Sequence, residues 1–241
     1  MPTEVPPARP SSTVVLVRDA DVDAPEFFMV RRPERASFGA AYVFPGGVVD
    51  ATDADACRFC RGVDAAEADR RLRVDSGGLD YYVAAIRELF EETGVLMADT
   101  QLGEHDLAAC RQQLNDTTLS WSAFITDAAA VLGADRLRYF SHWITPDALP
   151  KRYSTRFFLA ELPAGQHAEH DPGELTDSRW MSANTALQAG RDGDIQLRYP
   201  TRKTLELLAE HDSAESLMNW ARERETRGVE TIYPSSIPRS A

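Results

Sequence analysis

Arg87-Glu88-Leu89-Phe90-Glu91-Glu92-Thr93-Gly94-Val95 is the stretch on which the reading of this chain turns. It closes a run in which Tyr82, Val83, Ile86, Leu89 and Phe90 recur at three- and four-residue steps, and Gly94 follows as a natural C-terminal stop. The spacing predicts a helix from Asp80 to Gly94. Residues three and four apart share a helix face, so Glu88, Glu91 and Glu92 converge beside the apolar stripe. Three neighbouring carboxylates repel one another unless a cation joins them. As hard oxygen donors they suit Mg²⁺ or Mn²⁺ and the diphosphate oxygens that those ions bridge. Glutamate-rich helices are more often plain solvated faces, so the choice rests on what surrounds the run.

Upstream, Ala41-Tyr-Val-Phe44 reads as a strand that must stop at Pro45-Gly46-Gly47, where the backbone can take unusual dihedrals; this is the first candidate functional loop. Thr13 to Val17 and Phe27 to Val30 read as short buried strands joined by a hairpin loop over Asp19 to Pro25, and Arg31 to Gly39 as a polar turn. Residues 1–12, rich in Pro and Ser, read as a flexible arm. Asp50 to Leu79 changes character, with many Ala, Asp and Arg, a short helix over Ala65 to Leu72 and a break at Ser76-Gly77-Gly78, and reads as an inserted segment over about 54–79. Downstream come helices over Asp106 to Leu114 and Ser120 to Leu132, then strands over Leu137 to Ile144, Thr155 to Ala160 and Ser178 to Met181. Ala183 to Gly190 is a further helix, and Thr201 to Arg224 has amphipathic helical spacing broken near His211-Asp212-Ser213. Strands and helices interspersed without a repeat make an α/β protein.

With 26 Lys and Arg against 38 Asp and Glu, a formal charge of -12, an extended nucleic-acid groove would work against the overall field. A small anionic substrate is compatible with that charge, because a divalent metal and a few arginines can invert the potential inside one pocket. No stretch approaches the roughly 20 apolar residues of a membrane span, and the start has no signal-peptide core. Three cysteines, Cys57, Cys60 and Cys110, are too few for a disulfide framework, which points to a reducing, cytoplasmic setting. Cys57-Arg-Phe-Cys60 lacks the second ligand pair of a structural zinc site. His142 sits in an apolar strand-like run and reads as packed, and His167 and His170 merely share an acidic loop that ends in Glu174.

Arg87 to Val95 matches every specified position in the second half of the Nudix box, G-x5-E-x7-R-E-U-x-E-E-x-G-U with U a bulky aliphatic residue. Phe44-Pro45-Gly46-Gly47 resembles the lead-in, with Gly47 as the first glycine of the box and Asp53 where the pattern has its first glutamate. Gly47 and Arg87 are 40 positions apart where the pattern has 14, so 26 extra residues lie inside the motif. An insertion at this place, together with Arg31-Arg32-Pro33, Ala41 to Val48 with Asp50, Arg152-Tyr-Ser-Thr-Arg-Phe-Phe158 and Trp180-Met-Ser182, is similar to the acyl-CoA diphosphatase branch of that family.

The resemblance implies a Nudix-type α/β/α sandwich with a mixed sheet, one domain over 13–200, and the amphipathic spacing adds helices over 201–241 packed on it. It implies Gly46, through its carbonyl, and Glu88, Glu91 and Glu92 as ligands of Mg²⁺ or Mn²⁺. Glu88 also supports the metal's water, and Arg87 orients the glutamates by ion pairing. The general base would come from a later loop, where Glu169, Asp171 and Glu174 are available and Glu174 is favoured. Arg31, Arg32, Arg152 and Arg156 are candidate partners for substrate phosphates. The branch splits CoA or acyl-CoA into 3',5'-ADP and 4'-phosphopantetheine or its acyl form. A pyrophosphatase of ADP-ribose, NADH or another nucleoside diphosphate derivative is the enzymatic alternative, and a non-catalytic nucleotide-sensing module is the other. Family members often form homodimers. The chain ends Pro238-Arg-Ser-Ala241 without a peroxisomal tripeptide. The insertion, expected to leave the domain as a surface excursion, should be removable over Ala54 to Ser76 with more effect on substrate choice than on folding. Whether it displaces Asp53 from the site stays open.

Overall fold

Four consecutive apolar residues, Val14-Val-Leu-Val17, are all fully buried in strand β1 (Arg9–Arg18), so both faces of that strand are covered. Side chains alternate along a strand. Val14 and Leu16 enter one hydrophobic cluster and Val15 and Val17 another, and Phe28 and Phe27 divide the same way on β2 (Glu26–Arg31). A sheet with a core on each face is the sandwich that the resemblance implies. The computed structural model describes residues 5–20, 24–33 and 40–234. Parts of the expected arm, hairpin loop, Arg31 to Gly39 turn and C-terminal end therefore lie outside the described residues.

The edges of β1 place the glycine loop. One edge pairs in parallel, from Arg9 to Val17, with the strand Tyr153–Glu161, β9 in chain order. The other pairs with Glu26 and Phe27 of β2 at one end and, from Ser11 to Thr13, with β4 (Gly46–Val48) at the other. Between them β3 (Ala41–Val43) pairs with Val30 and Arg31. β1 and β2 thus diverge like a fork, and the turn at Pro45-Gly46 sits in the opening. Beyond β4 come a 3₁₀ helix (Ala51–Phe59), β5 (Cys60–Arg61), α1 (Ala65–Leu72) and α2 (Gly78–Thr93).

The chain continues through β6 (Ala98–Asp99), α3 (Glu104–Asn115), α4 (Trp121–Asp127), β7 (Val131–Gly133), β8 (Arg138–Ile144) and β9 (Tyr153–Glu161). β10 (Asp177–Ser182) covers the second edge of β2, and α5 (Ala183–Asp192), β11 (Gln196–Leu197), α6 (Tyr199–Leu208), α7 (Ala214–Arg227) and β12 (Thr231–Ile232) complete it. α2 and α4 bury Ile86, Leu89, Phe90 and Phe124 on one sheet face. Leu187, Leu205, Leu208, Leu217 and Ala221 from α5, α6 and α7 cover the other. Among the described residues no helix is long and apolar enough to cross a membrane.

Three expectations change. β1 begins at Arg9, so residues 9–12 join the sheet; Ser12 is buried and its hydroxyl donates to Tyr81 O at 2.7 Å. The helix expected over Ser120 to Leu132 stops at Asp127, because Leu132 and its neighbours pair with β5 and β6, and tertiary pairing outweighs the helix propensity of the alanine run. The insertion is no surface excursion. Ala56, Val63, Ala68 and Leu72 are buried in the same cluster as Ile86 and Leu89, and Gly78 N donates to Asp69 Oδ1 at 2.6 Å. α2 starts at Gly78, two residues before the expected start, and a Cβ there would collide with the backbone of Ala68 and Asp69.

Deleting residues 54–76 is therefore expected to abolish cooperative unfolding. Leu72→Ala, which empties a buried site, should lower stability in urea by about 2–5 kcal/mol. An unfolding curve for Leu72→Ala superposing on that of the unaltered chain would return this segment to the surface.

Candidate functional site

Gly47 and Glu88 touch where β4 crosses under α2, and a Cβ on Gly47 would overlap the Glu88 carboxylate. Only glycine lets the loop come so close. One helical turn on, Glu92 is buried and accepts from Gly46 N at 2.8 Å. Arg32, just past β2, completes this corner, its Nη2 donating to Gly46 O at 2.6 Å and to Glu92 Oε1 at 3.2 Å.

Arg87 organises the remaining carboxylates. Its Nη1 donates to Glu88 Oε1 at 2.9 Å and Glu91 Oε2 at 3.0 Å, and its Nη2 to Val48 O at 3.1 Å. Nε and Nη2 hold Asp53 at 2.8 and 3.2 Å. Asp53 is wholly buried and also accepts from Asp50 N, closing the capping box of the 3₁₀ helix. The extra residues thus enter after Asp53 without pulling it from the box.

Four carboxylates, Asp53, Glu88, Glu91 and Glu92, here face two guanidinium groups, Arg87 and Arg32. Burial pushes Glu91 up to about 7, against the pull of Arg87. It also holds Glu88 and Glu92 above the usual carboxylate range, opposed chiefly by Arg87 and Arg32 respectively. Asp53 is raised by burial too, despite its arginine. Such a surplus of buried anionic oxygen has the chemistry of a hard divalent-cation site. The arginines already bridge its members, and among the described residues no three His, Cys, Asp or Glu side chains are grouped as a ready metal cluster. An open cleft of about 350 Å³, lined by Val48, Asp50, Thr52, Arg87, Glu88 and Glu91, leads to these groups. A larger depression, about 590 Å³, lies along the insertion beside Cys57 and Cys60 and away from the carboxylates.

The acidic loop reaches the same place. Its amides at Glu169 and Asp171 donate to Thr93 O and Glu92 O, at 2.9 and 3.0 Å. The Glu174 charge acts on Glu88 and Glu92, whereas Glu169 and Asp171 act on Arg111 of α3. Of the three acids considered for the base, Glu174 is among the main charges that raise Glu88 and Glu92.

Of the four candidate phosphate arginines, only Arg32 contacts the box among the described residues. Arg31 Nε lies 3.5 Å from Ala40 O. Arg152 donates to Thr145 O, Pro6 O and Asp147. Arg156 is 4% exposed, lies over the Tyr81 ring at 4.1 Å and donates to Leu72 O. A cation inside a strand gave no hint of that commitment. His142 is packed as expected, between Thr231 and Ser154 hydroxyls at 2.8 Å each. Cys57 donates to Asp80, and burial raises its thiol and that of Cys60, the latter to about 12. Arg111 and Asn115 on α3, which bond the backbone of Glu91, carried no motif that sequence reasoning could have used.

Residues 64–206 match the family model described as the NUDT19 Nudix domain. Putative nudix hydrolase 7 of Caenorhabditis elegans is 27% identical over 178 residues, covering 71% of this chain and 52% of that protein. Acyl-coenzyme A diphosphatase NUDT19 of Gallus gallus is 24% identical over 259 residues, covering 88% of this chain and 68% of that protein. The chain spans about half to two thirds of the length of these curated relatives. Among solved structures, the NUDIX hydrolase from Alicyclobacillus acidocaldarius superposes with a TM-score of 0.70 at 27% identity, over 88% of this chain and 96% of that one.

The raised carboxylates set a pH dependence. Below about 4.5 both folded and unfolded chains keep the Glu91 proton; between there and about 7 only the folded chain keeps it, so stability falls as pH rises through that window. Asp50, Glu67, Asp99, Asp177 and Glu206 are held low and act below it, whereas burial lowers His142 to about 4, which opposes the trend within the window without matching the three raised glutamates. In EDTA, the thermal midpoint is expected to be higher at pH 5 than at pH 8, with Glu91→Gln flattening the difference; equal midpoints would contradict the burial argument.

Proposed function

The chain belongs to the NUDT19 branch of the Nudix hydrolase family, and from that premise we propose that it hydrolyses the diphosphate linkage of CoA or acyl-CoA, releasing 3',5'-ADP and 4'-phosphopantetheine or its acyl form. The observation that carries the hydrolytic reading is the buried surplus of carboxylate oxygen packed against Gly46 and Gly47. The CoA assignment is supported by the family model and by relatives named acyl-coenzyme A diphosphatase.

In this reading Gly46 O, Glu88, Glu91 and Glu92 hold Mg²⁺ or Mn²⁺, a donor set of hard oxygens that fits either ion. When bound, the ion polarises the phosphoryl oxygens and lowers the pKa of its water. Arg87, itself held by Asp53, keeps Glu88 and Glu91 in place. Arg32, which donates to Gly46 O and Glu92, would be the guanidinium placed to meet the diphosphate, with Arg31 next to it in sequence. Water attacks phosphorus, Glu174 accepts its proton, and the bond from phosphorus to the bridging oxygen breaks. Arg152 and Arg156 are left out, since their guanidinium groups are held elsewhere.

Assayed with Mg²⁺ and Mn²⁺ over CoA, acyl-CoA, ADP-ribose and NADH, with products identified by mass spectrometry, the protein should release 3',5'-ADP preferentially from the CoA species. Preferred release of AMP from ADP-ribose or NADH would discard the CoA assignment, and no metal-dependent turnover would favour a nucleotide-sensing module. Glu92→Gln should remove turnover while the protein stays folded. Arg32→Gln should lower kcat/KM about 10- to 100-fold, the worth of a charge-assisted hydrogen bond; unchanged kcat/KM would take Arg32 out of the substrate's path.

A further inference from the structure

The last four carbonyls of a helix have no partner within it. In α2, which carries the box, the first of the four is met by the helix's own C-cap and the other three from outside the helix. Phe90 O accepts from Gly94 N at 2.8 Å, and Glu92 O and Thr93 O accept from the acidic loop. Glu91 O is taken by α3, through Arg111 Nε at 3.0 Å and Asn115 Nδ2 at 3.2 Å. Arg111 then reaches beyond α2, and its Nη2 donates to Glu169 O at 2.9 Å. One guanidinium therefore brackets the backbone of a box glutamate and the backbone of the loop that leads to Glu174.

The loop's ends are fixed separately. Gln166 pairs through its side-chain amide with both backbone groups of Leu96, at 2.8 and 2.9 Å, and Leu175 is buried in the core. Between these anchors the stretch from Glu169 to Glu174 rests on α2 through two amide bonds, on Arg111, and on β10 through His170 Nδ1 and Ser178 Oγ at 2.9 Å. Burial holds the Arg111 guanidinium below its usual range, and the charges of Asp171, Glu169 and Glu92 act against that. Its cation also stands at the negative end of the α2 dipole, where it is favoured.

We infer that Arg111 is a positioning residue, which fixes the acidic loop to the last turn of α2 so that Glu174 stands over the box carboxylates at the place where the attacking water gives up its proton. The inference rests on the role of Glu174 given above. A tie of this kind governs distance, and a displacement of about 1 Å at a reacting group can cost about 100-fold in rate.

The test uses the full chain with Mg²⁺ and its best CoA substrate, and compares Arg111→Gln, Arg111→Lys, Glu174→Gln and the double variant Arg111→Gln/Glu174→Gln. Arg111→Gln is expected to lower kcat about 10- to 100-fold with little change in KM, and to speed amide exchange at Glu169 and Asp171. In the Glu174→Gln background the same change should add no further loss, because the two act in series. Arg111→Lys keeps the charge and one donor, so it should fold and show a smaller loss if Arg111→Gln does not fold. Unchanged exchange at Glu169 and Asp171 would overturn the inference whatever the activities, and so would losses that multiply in the double variant. Full activity in Glu174→Gln would remove that residue as the base and the positioning role with it, while faster exchange in Arg111→Gln would still separate that result from a failure of the loop tie.

Discussion

The buried ion pair between Arg87 and Asp53 is the constraint on which the rest depends. Asp53 is wholly enclosed and Arg87 nearly so, and separating a buried pair by removing one partner typically costs about 3–5 kcal/mol. Arg87 uses its remaining donors on Glu88, Glu91 and Val48 O, so one guanidinium joins the start of the inserted segment, the glycine loop and two box carboxylates. Opposite it Arg32 joins Gly46 and Glu92. Like charges can crowd together here because the cations between them are also held in place.

The fold places these groups through its asymmetry. β1 uses one edge wholly for β9 and splits the other between β2 and β4, which opens a fork for the turn at Pro45-Gly46. α2 crosses above it, and the acidic loop docks on the last turn of that helix. Loop, helix and turn thus meet at a point fixed by sheet pairing, with side-chain packing refining it.

Much of this was legible because periodicity and motif agree. The apolar steps from Tyr82 to Phe90 gave the helix, the glutamates gave the box, and Pro45-Gly46-Gly47 gave the loop. The insertion was misread because its buried residues, Ala56, Val63, Ala68 and Leu72, are mostly small and scattered among Asp and Arg, so burial by close approach leaves no hydrophobic period. Arg111 was illegible for another reason. Its partners are backbone carbonyls, Glu91 O and Glu169 O, and a bond to a carbonyl imprints no residue type on the partner position. Arg156 looked like a phosphate ligand because a cation in a strand seldom reads as an aromatic stacking partner.

Gly78, pressed against the backbone of Ala68 and Asp69, has a consequence for how such a chain can diverge. A segment that interrupts a motif is ordinarily where length and composition drift with least harm. Here even a methyl group at the junction would pry α1 from α2, so the stretch that a pattern treats as spacer holds some of the positions least able to change. Lengthening is sterically cheaper at the exposed turn around Asp75 and Ser76, between the two helices. Relatives of this architecture should therefore differ in how far that turn extends more readily than in how the helices on either side of it meet.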